Sequence, residues 1–185
     1  MFEIPQPSMA LNSHNVPAPD YMMWNTYKVS AGTSPEHMIG WTATVAKGAK
    51  GGLRCLILNS HGSPGHLSLG TGITLNDANV FSALKGHVNT IFIVACRIGQ
   101  TGYGGALDGN LMCGAIAKAA GATVFCSTDF QNTGLHTVIG LSYGFIDEYE
   151  GTILKYSSNG SNKAVSNGYI TSYVRNLKLG VSRTW

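Results

Sequence analysis

Apolar residues in this chain gather in short, unalternating runs. Leu53-Arg54-Cys55-Leu56-Ile57-Leu58 leads into Asn59-Ser60-His61-Gly62, and Thr90-Ile91-Phe92-Ile93-Val94-Ala95 leads into Cys96-Arg97. Runs of this length, rich in Leu, Ile and Val and bounded by glycine-bearing loops, read as strands buried on both faces, the pattern of a parallel sheet. A third run spans Ala122 to Ser127. Helical patterns lie around and between them. Ser34-Pro35-Glu36 supplies an N-cap, an N1 proline and an early acid for a helix stopping near Gly48. Asn76 is placed to cap a helix with Val80, Phe81 and Leu84 on one face, closed by Gly86. Asp108 caps another that turns Leu111, Met112, Ile116 and Ala119 inward and ends at Gly121. The β-α-β-α-β order from 53 to 127 predicts right-handed crossovers and a parallel sheet with helices on both faces.

The flanking segments are less regular. Residues 1–20 carry four prolines and read as an extended N-terminal arm, followed by a single α/β domain over 21–185. Tyr21 to Val29 alternates loosely as a strand. After His61-Gly62, two short pieces around Ser63-Pro64-Gly65 predict a small β-hairpin. Val138 to Ile146 and Gly151 to Tyr156 read as a second hairpin, and 157–168, rich in Ser and Asn, as a surface loop. Tyr169, Ile170, Tyr173, Val174 and Leu177 follow helical spacing, so a last helix is expected on the sheet. No internal repeat or long linker divides the chain.

Composition narrows the function classes. With 185 residues, 44% hydrophobic and 11% charged, the chain suits one compact α/β domain and not a disordered segment. Its net charge of +3 is too small, and its cations too scattered, for a nucleic-acid surface. No apolar stretch approaches a membrane span, and the start lacks a signal-peptide pattern. The expected setting is therefore cytoplasmic, with export by another route left open. Cys55, Cys96, Cys113 and Cys126 form no C-x-x-C pair, which points to reduced thiols.

Chemistry concentrates where the two leading runs end. In an open α/β sheet, ligands meet the groups just beyond the carboxyl ends of the strands. If these strands are neighbours, with axes roughly 4.8 Å apart, an imidazole and a thiol share one rim. That is the kit of a cysteine nucleophile with a histidine base. The backbone N–H groups of Gly62 and Cys96 are placed to face an oxyanion. The competing reading of Cys96 is a core residue, since free cysteine is among the most buried residue types. His66 could join His61 and Cys96 around a metal, but His-x4-His across a Pro-Gly turn is poor ligand geometry, so no metal or cofactor is expected. The glycine-rich loop from Gly99 to Gly105 lacks the third glycine of a dinucleotide fingerprint and has no Gly-Lys-Ser/Thr.

A hydrophobic run ending in His-Gly, then one ending in Ala-Cys, resembles the caspase-like cysteine peptidases, the clan of caspases, gingipains, legumain, separase and clostripain. Ser60-His61-Gly62-Ser63-Pro64-Gly65-His66-Leu67-Ser68-Leu69-Gly70 is similar to the caspase-like domain of unknown function near the start of giant bacterial adhesins. Ala120-Gly121-Ala122-Thr123-Val124-Phe125-Cys126-Ser127, with the helix before it, resembles the corresponding segment of caspase-like domains associated with tetratricopeptide repeats. The resemblance covers residues 53–130. It implies a three-layer α/β/α sandwich with a mostly parallel central sheet and a polypeptide substrate. It also implies Cys96 as nucleophile, His61 as acid/base and Gly62 in the oxyanion hole.

Substrate-contacting candidates past the strand ends are Arg97, Ser127 and Asp129. In that clan Asp129 would favour a basic residue before the scissile bond; it reads equally as a helix or turn cap before Asn132-Thr133-Gly134. Arg97 would receive an acidic residue or act on the thiol beside it. The rival to the peptidase reading is a non-catalytic caspase-like binding module, associated with a toxin, immunity or adhesin system. An exposed edge strand would make a homodimer plausible.

Overall fold

The computed structural model describes residues 1–17, 20–102, 104–131 and 143–180. In chain order its strands are β1 Phe2–Glu3, β2 Met9–Ser13, β3 Asn25–Val29, β4 Leu53–Asn59, β5 His61–Ser63, β6 His66–Ser68, β7 Val88–Val94, β8 Thr123–Ser127, β9 Phe145–Ile146, β10 Ile153–Tyr156 and β11 Asn162–Val165. The helices are α1 Pro35–Gly48, α2 Gly109–Ala120 and α3 Asn167–Lys178, with a 3-10 helix over Leu75–Leu84.

Seven strands form a central sheet in the order β11-β10-β8-β7-β4-β2-β3. The five from β3 to β8 run parallel, and β10 and β11 add an antiparallel pair at one edge. The apolar runs of β4 and β7 lie side by side in the middle, where both faces are covered, which is why neither alternates. On one face α1, the 3-10 helix and α2 bury Met38, Ile39, Phe81, Leu84, Met112 and Ile116 against Leu56, Leu58, Ile91 and Ile93. On the other, α3 lays Ile170 and Val174 over Cys55, Ile57, Phe92 and Phe125. Phe92 and Phe125 stack at 5.2 Å between centroids, and Tyr173 meets Phe125 edge-on at 5.1 Å. The result is a mixed α/β sandwich with a mostly parallel sheet between helices. Among the described residues no helix is long and apolar enough to cross a membrane.

Several expectations need correction. The segment 1–20 is no free arm: Met9, Ala10 and Leu11 are fully buried in β2, which sits between β3 and β4 inside the sheet. Phe2–Glu3 pairs with Phe145–Ile146, so β9 belongs with β1 and not in a hairpin with β10. The 138–142 part of that expected hairpin lies outside the described residues. The helix expected after Asn76 is a 3-10 helix capped by Thr74, whose side chain and that of Asp77 form a reciprocal box. Asn76, Asp77, Asn79 and Ser82 compete locally for backbone hydrogen bonds and weaken an α-helix there.

In α2 the buried stripe is Met112, Cys113, Ile116, Ala117 and Ala120, so Leu111 points outward at 49% exposure. The expected loop 157–168 contains β11, a mostly exposed edge strand whose polar residues suit its one-sided pairing. The caps at Ser34 and Asp108, the hairpin β5–β6 and helix α3 stand as read.

Candidate functional site

Parallel pairing of β4 with β7 aligns Leu58 with Ile93 and Asn59 with Val94, and the Ser60 amide still bonds the Val94 carbonyl at 3.2 Å. Two steps beyond, His61 and Cys96 leave the sheet at matching positions of adjacent strands. The two motifs also touch directly. A Cβ built on Gly62 would lie 2.9 Å from both the Ala95 Cβ and the Cys96 carbonyl oxygen. Only a glycine fits between the strand ends. Pro64 and Gly65 (φ +65°) turn the hairpin that follows. Gly62 faces Leu67 there, and the Leu67 amide leaves the hairpin to bond the Ile73 carbonyl at 2.9 Å. This marks a non-hydrogen-bonded pair, so the Gly62 N–H also turns outward from the hairpin.

His61 is exposed, and its Nε2 lies 3.1 Å from the Asn15 carbonyl oxygen. A carbonyl only accepts, so Nε2 carries the proton in the neutral ring and Nδ1 holds the lone pair. Asn15 stands just beyond β2, on the side of β4 away from β7. It is fixed in turn by the Ser13 hydroxyl, which donates to Asn15 Oδ1 at 2.7 Å. Beneath the rim, the Oδ1 of buried Asn12 accepts from the Asn59 side-chain Nδ2 at 2.9 Å, and Asn12 exchanges two 3.0 Å bonds with the Tyr21 backbone.

These partners were missed in the sequence, yet a signal was there. Leu-Asn-Ser-His occurs at 11–14 and again at 58–61, and the parallel register sets Leu11 beside Leu58 and Asn12 beside Asn59. A repeat of four residues is too short to stand out without the fold.

Cys96 is half-buried, whereas Cys55, Cys113 and Cys126 are fully buried. Its sulfur receives the Gln131 N–H at 3.4 Å and donates to the Gln131 carbonyl at 3.6 Å. Gln131 is the second functional neighbour missed, since it lies 35 residues downstream. The residue after the cysteine, Arg97, adopts φ +55°, a left-handed conformation costly for a side chain-bearing residue. It is held there by a 2.8 Å bond from its amide to the Asp129 carbonyl and a 2.6 Å bond from Nε to Gln100 Oε1. The guanidinium also lies over the Phe130 ring at 5.3 Å. This kink ends β7 at the thiol.

The other expected substrate contacts are tied into the loop behind the thiol. The Asp129 carboxylate receives the Thr152 amide at 3.0 Å and the Thr128 hydroxyl at 2.8 Å. The Thr152 N–H, then the Thr128 hydroxyl, and the nearby Arg97 charge hold this carboxyl below its ordinary range. The Ser127 hydroxyl donates to the Glu150 carbonyl at 2.6 Å and is buried. Both side chains therefore join the end of β8 to the start of β10, while the turn at 132–134 that Asp129 was expected to cap lies outside the described residues. His66 packs its Nε2 against Gly72 across the hairpin. Among the described residues no three His, Cys, Asp or Glu side chains gather as metal ligands would.

A scan against family models matched none, and searches of curated proteins and of solved structures returned no similar protein.

Proposed function

We propose that this chain is a cysteine endopeptidase with a caspase-like fold, using Cys96 as nucleophile and His61 as general base and acid. The reading rests on one observation above others: the register that pairs Asn59 with Val94 and so carries His61 and Cys96 off neighbouring strand ends together. The chemistry then follows from the groups at hand. His61 Nδ1 takes the thiol proton while Nε2–H stays on the Asn15 carbonyl, which orients the ring as a third group must. The thiolate attacks the scissile carbonyl carbon, forming a C–S bond and an oxyanion. The outward N–H of Gly62 and the N–H of Cys96 receive that charge. The imidazolium gives its proton to the departing amine as the C–N bond breaks, and water then hydrolyses the thioester with His61 again as base.

A specific arrangement favours the rival, a non-catalytic binding module. The thiol donates to Gln131 and the ring bonds Asn15, so their polar contacts run to opposite flanks of the site. On the peptidase reading, substrate binding withdraws the sulfur from Gln131 and turns it to Nδ1. Catalytic hydrogen bonds of that kind commonly tighten only in the complex.

Acyloxymethyl ketones carrying Arg, Lys, Asp or Leu separate the two. The peptidase reading expects a covalent adduct on Cys96, seen by intact mass and peptide mapping, with the favoured side chain reporting specificity. His61→Ala should slow labelling about 100-fold or more, in line with loss of a general base. Absence of labelling by all four, or equal rates in wild type and His61→Ala, would leave the binding-module reading.

A further inference from the structure

A cavity of about 840 Å³ opens at the end of the sheet opposite His61 and Cys96. It is bounded by Arg54, Val88 and Thr123 at the amino ends of β4, β7 and β8, by Lys155 and Lys163 on β10 and β11, and by Tyr169 and Tyr173 on α3. That volume lies within the usual range for small-ligand sites. Arg54, Lys155 and Lys163 line it, and among the described residues no Asp or Glu does.

Lys155 is the unusual member. It is only 6% exposed, an unusual place for a lysine without a counter-charge. Its ammonium donates to the Tyr169 hydroxyl at 2.9 Å and lies 5.6 Å from the centroid of the Tyr173 ring. An ammonium has three donors. Among the described residues the Tyr169 hydroxyl is the acceptor it meets, and the ion pairs formed lie elsewhere. Directly across the antiparallel pair from Lys155 stands Lys163, whose ammonium lies over the same Tyr169 ring at 5.3 Å. Like charges in opposed positions of a sheet repel. A cavity that holds one buried cation against a second, with Arg54 also on its lining, is stabilised by an anion within it.

We propose that this cavity binds a small phosphate-bearing anion, with Lys155, Lys163 and Arg54 neutralising its charge. Phosphate suits the site better than carboxylate. Two compact ammonium groups act as point charges, and the hydroxyls of Ser157 and Tyr169 border the cavity from different elements, which matches a tetrahedral acceptor. The proposal does not depend on any activity at Cys96.

Inorganic pyrophosphate at low ionic strength is the probe, read by calorimetric titration and thermal unfolding of the full chain, with citrate as the carboxylate arm. Pyrophosphate should bind the wild type and raise its unfolding midpoint by mass action. Because Lys155 is buried, its replacement would confound binding with folding, so the tests are Lys163→Gln and Arg54→Gln. Each should weaken pyrophosphate about tenfold or more, the size of one charge-assisted contact. Unliganded Lys163→Gln should melt no lower than wild type, because it removes the repulsion with Lys155. Failure of pyrophosphate to bind, wild-type affinity in both variants, or citrate binding as tightly as pyrophosphate would each overturn the proposal.

Discussion

Burial divides the four thiols into two chemical populations. Cys55 lies in the middle of the sheet with no exposed surface, and burial pushes its thiol up to about 12. Cys126 is also held well above its ordinary value, by a side-chain hydrogen bond with the Cys113 thiol and by burial. Cys96 alone among the four is reached by solvent. A raised thiol has a consequence for stability whose sign is fixed. Below about pH 9 the folded and unfolded chains both keep the Cys55 proton, and its contribution is complete. Between about 9 and 12 only the unfolded chain ionises, so stability falls by about 1.4 kcal/mol per pH unit, about 4 kcal/mol in all. Urea unfolding at pH 9.5, 10.25 and 11 should show at least this slope in the wild type, because Cys126 and the buried tyrosines, also raised, add to it. Cys55→Ala starts less stable, because it leaves a cavity, but its slope should be shallower by about that amount. Parallel slopes would place Cys55 outside the titration.

At the scale of elements, the clearest local rule is the cap of α2. The Asp108 carboxylate accepts from the Asn110 and Leu111 amides at 2.9 and 3.1 Å, satisfying two of the donors a helix start leaves open. Asp108→Ala should cost about 1 kcal/mol in equilibrium unfolding, and Asp108→Asn should recover most of it. An alanine variant as stable as wild type would mean that tertiary packing alone holds the helix start.

Such caps were legible in the sequence, as were β4, β7 and β8, because strands buried on both faces announce themselves by unbroken apolar runs. What stayed hidden was set by non-local pairing. Met9-Ala10-Leu11 is too short a run to name a central strand. Its end is Asn12-Ser13, polar residues buried only because Asn59, Tyr21 and Asn15 satisfy them across the fold. Pattern counts such residues as loop. The same logic hid β11, a mostly exposed strand whose ladder partner is β10. At the candidate site, His61, Gly62 and Cys96 could be named from strand-end grammar alone. Asn15 and Gln131 could not, since the one acts through its backbone carbonyl and the other through a loop 35 residues from the thiol.

The whole molecule depends on the first thirteen residues more than their prolines imply. β2 supplies ladder bonds to both β3 and β4, and its loss would split the parallel sheet between them. It would also expose the edge of β4, which leads to His61, and remove the fully buried Met9 and Leu11. Each such side chain contributes about 1.5–3 kcal/mol on burial, against a total stability of only about 5–15 kcal/mol for an ordinary domain. Phe2 and Ile4 go with them from the opposite face, where they join the cluster under α3. An extended arm could be cut without harm; an interior strand cannot. A chain lacking residues 1–13 should therefore lose cooperative thermal unfolding and near-ultraviolet circular dichroism, and it should aggregate through the bare β4 edge. Adding a synthetic peptide of residues 1–16 in trans should restore part of the signal, because the missing strand can pair with both neighbours from outside. If the truncated chain instead melts cooperatively near the wild-type midpoint, then β3 closes on β4 without β2. The Asn15 carbonyl, lost only with a longer deletion, would then be the sole tie between this segment and His61.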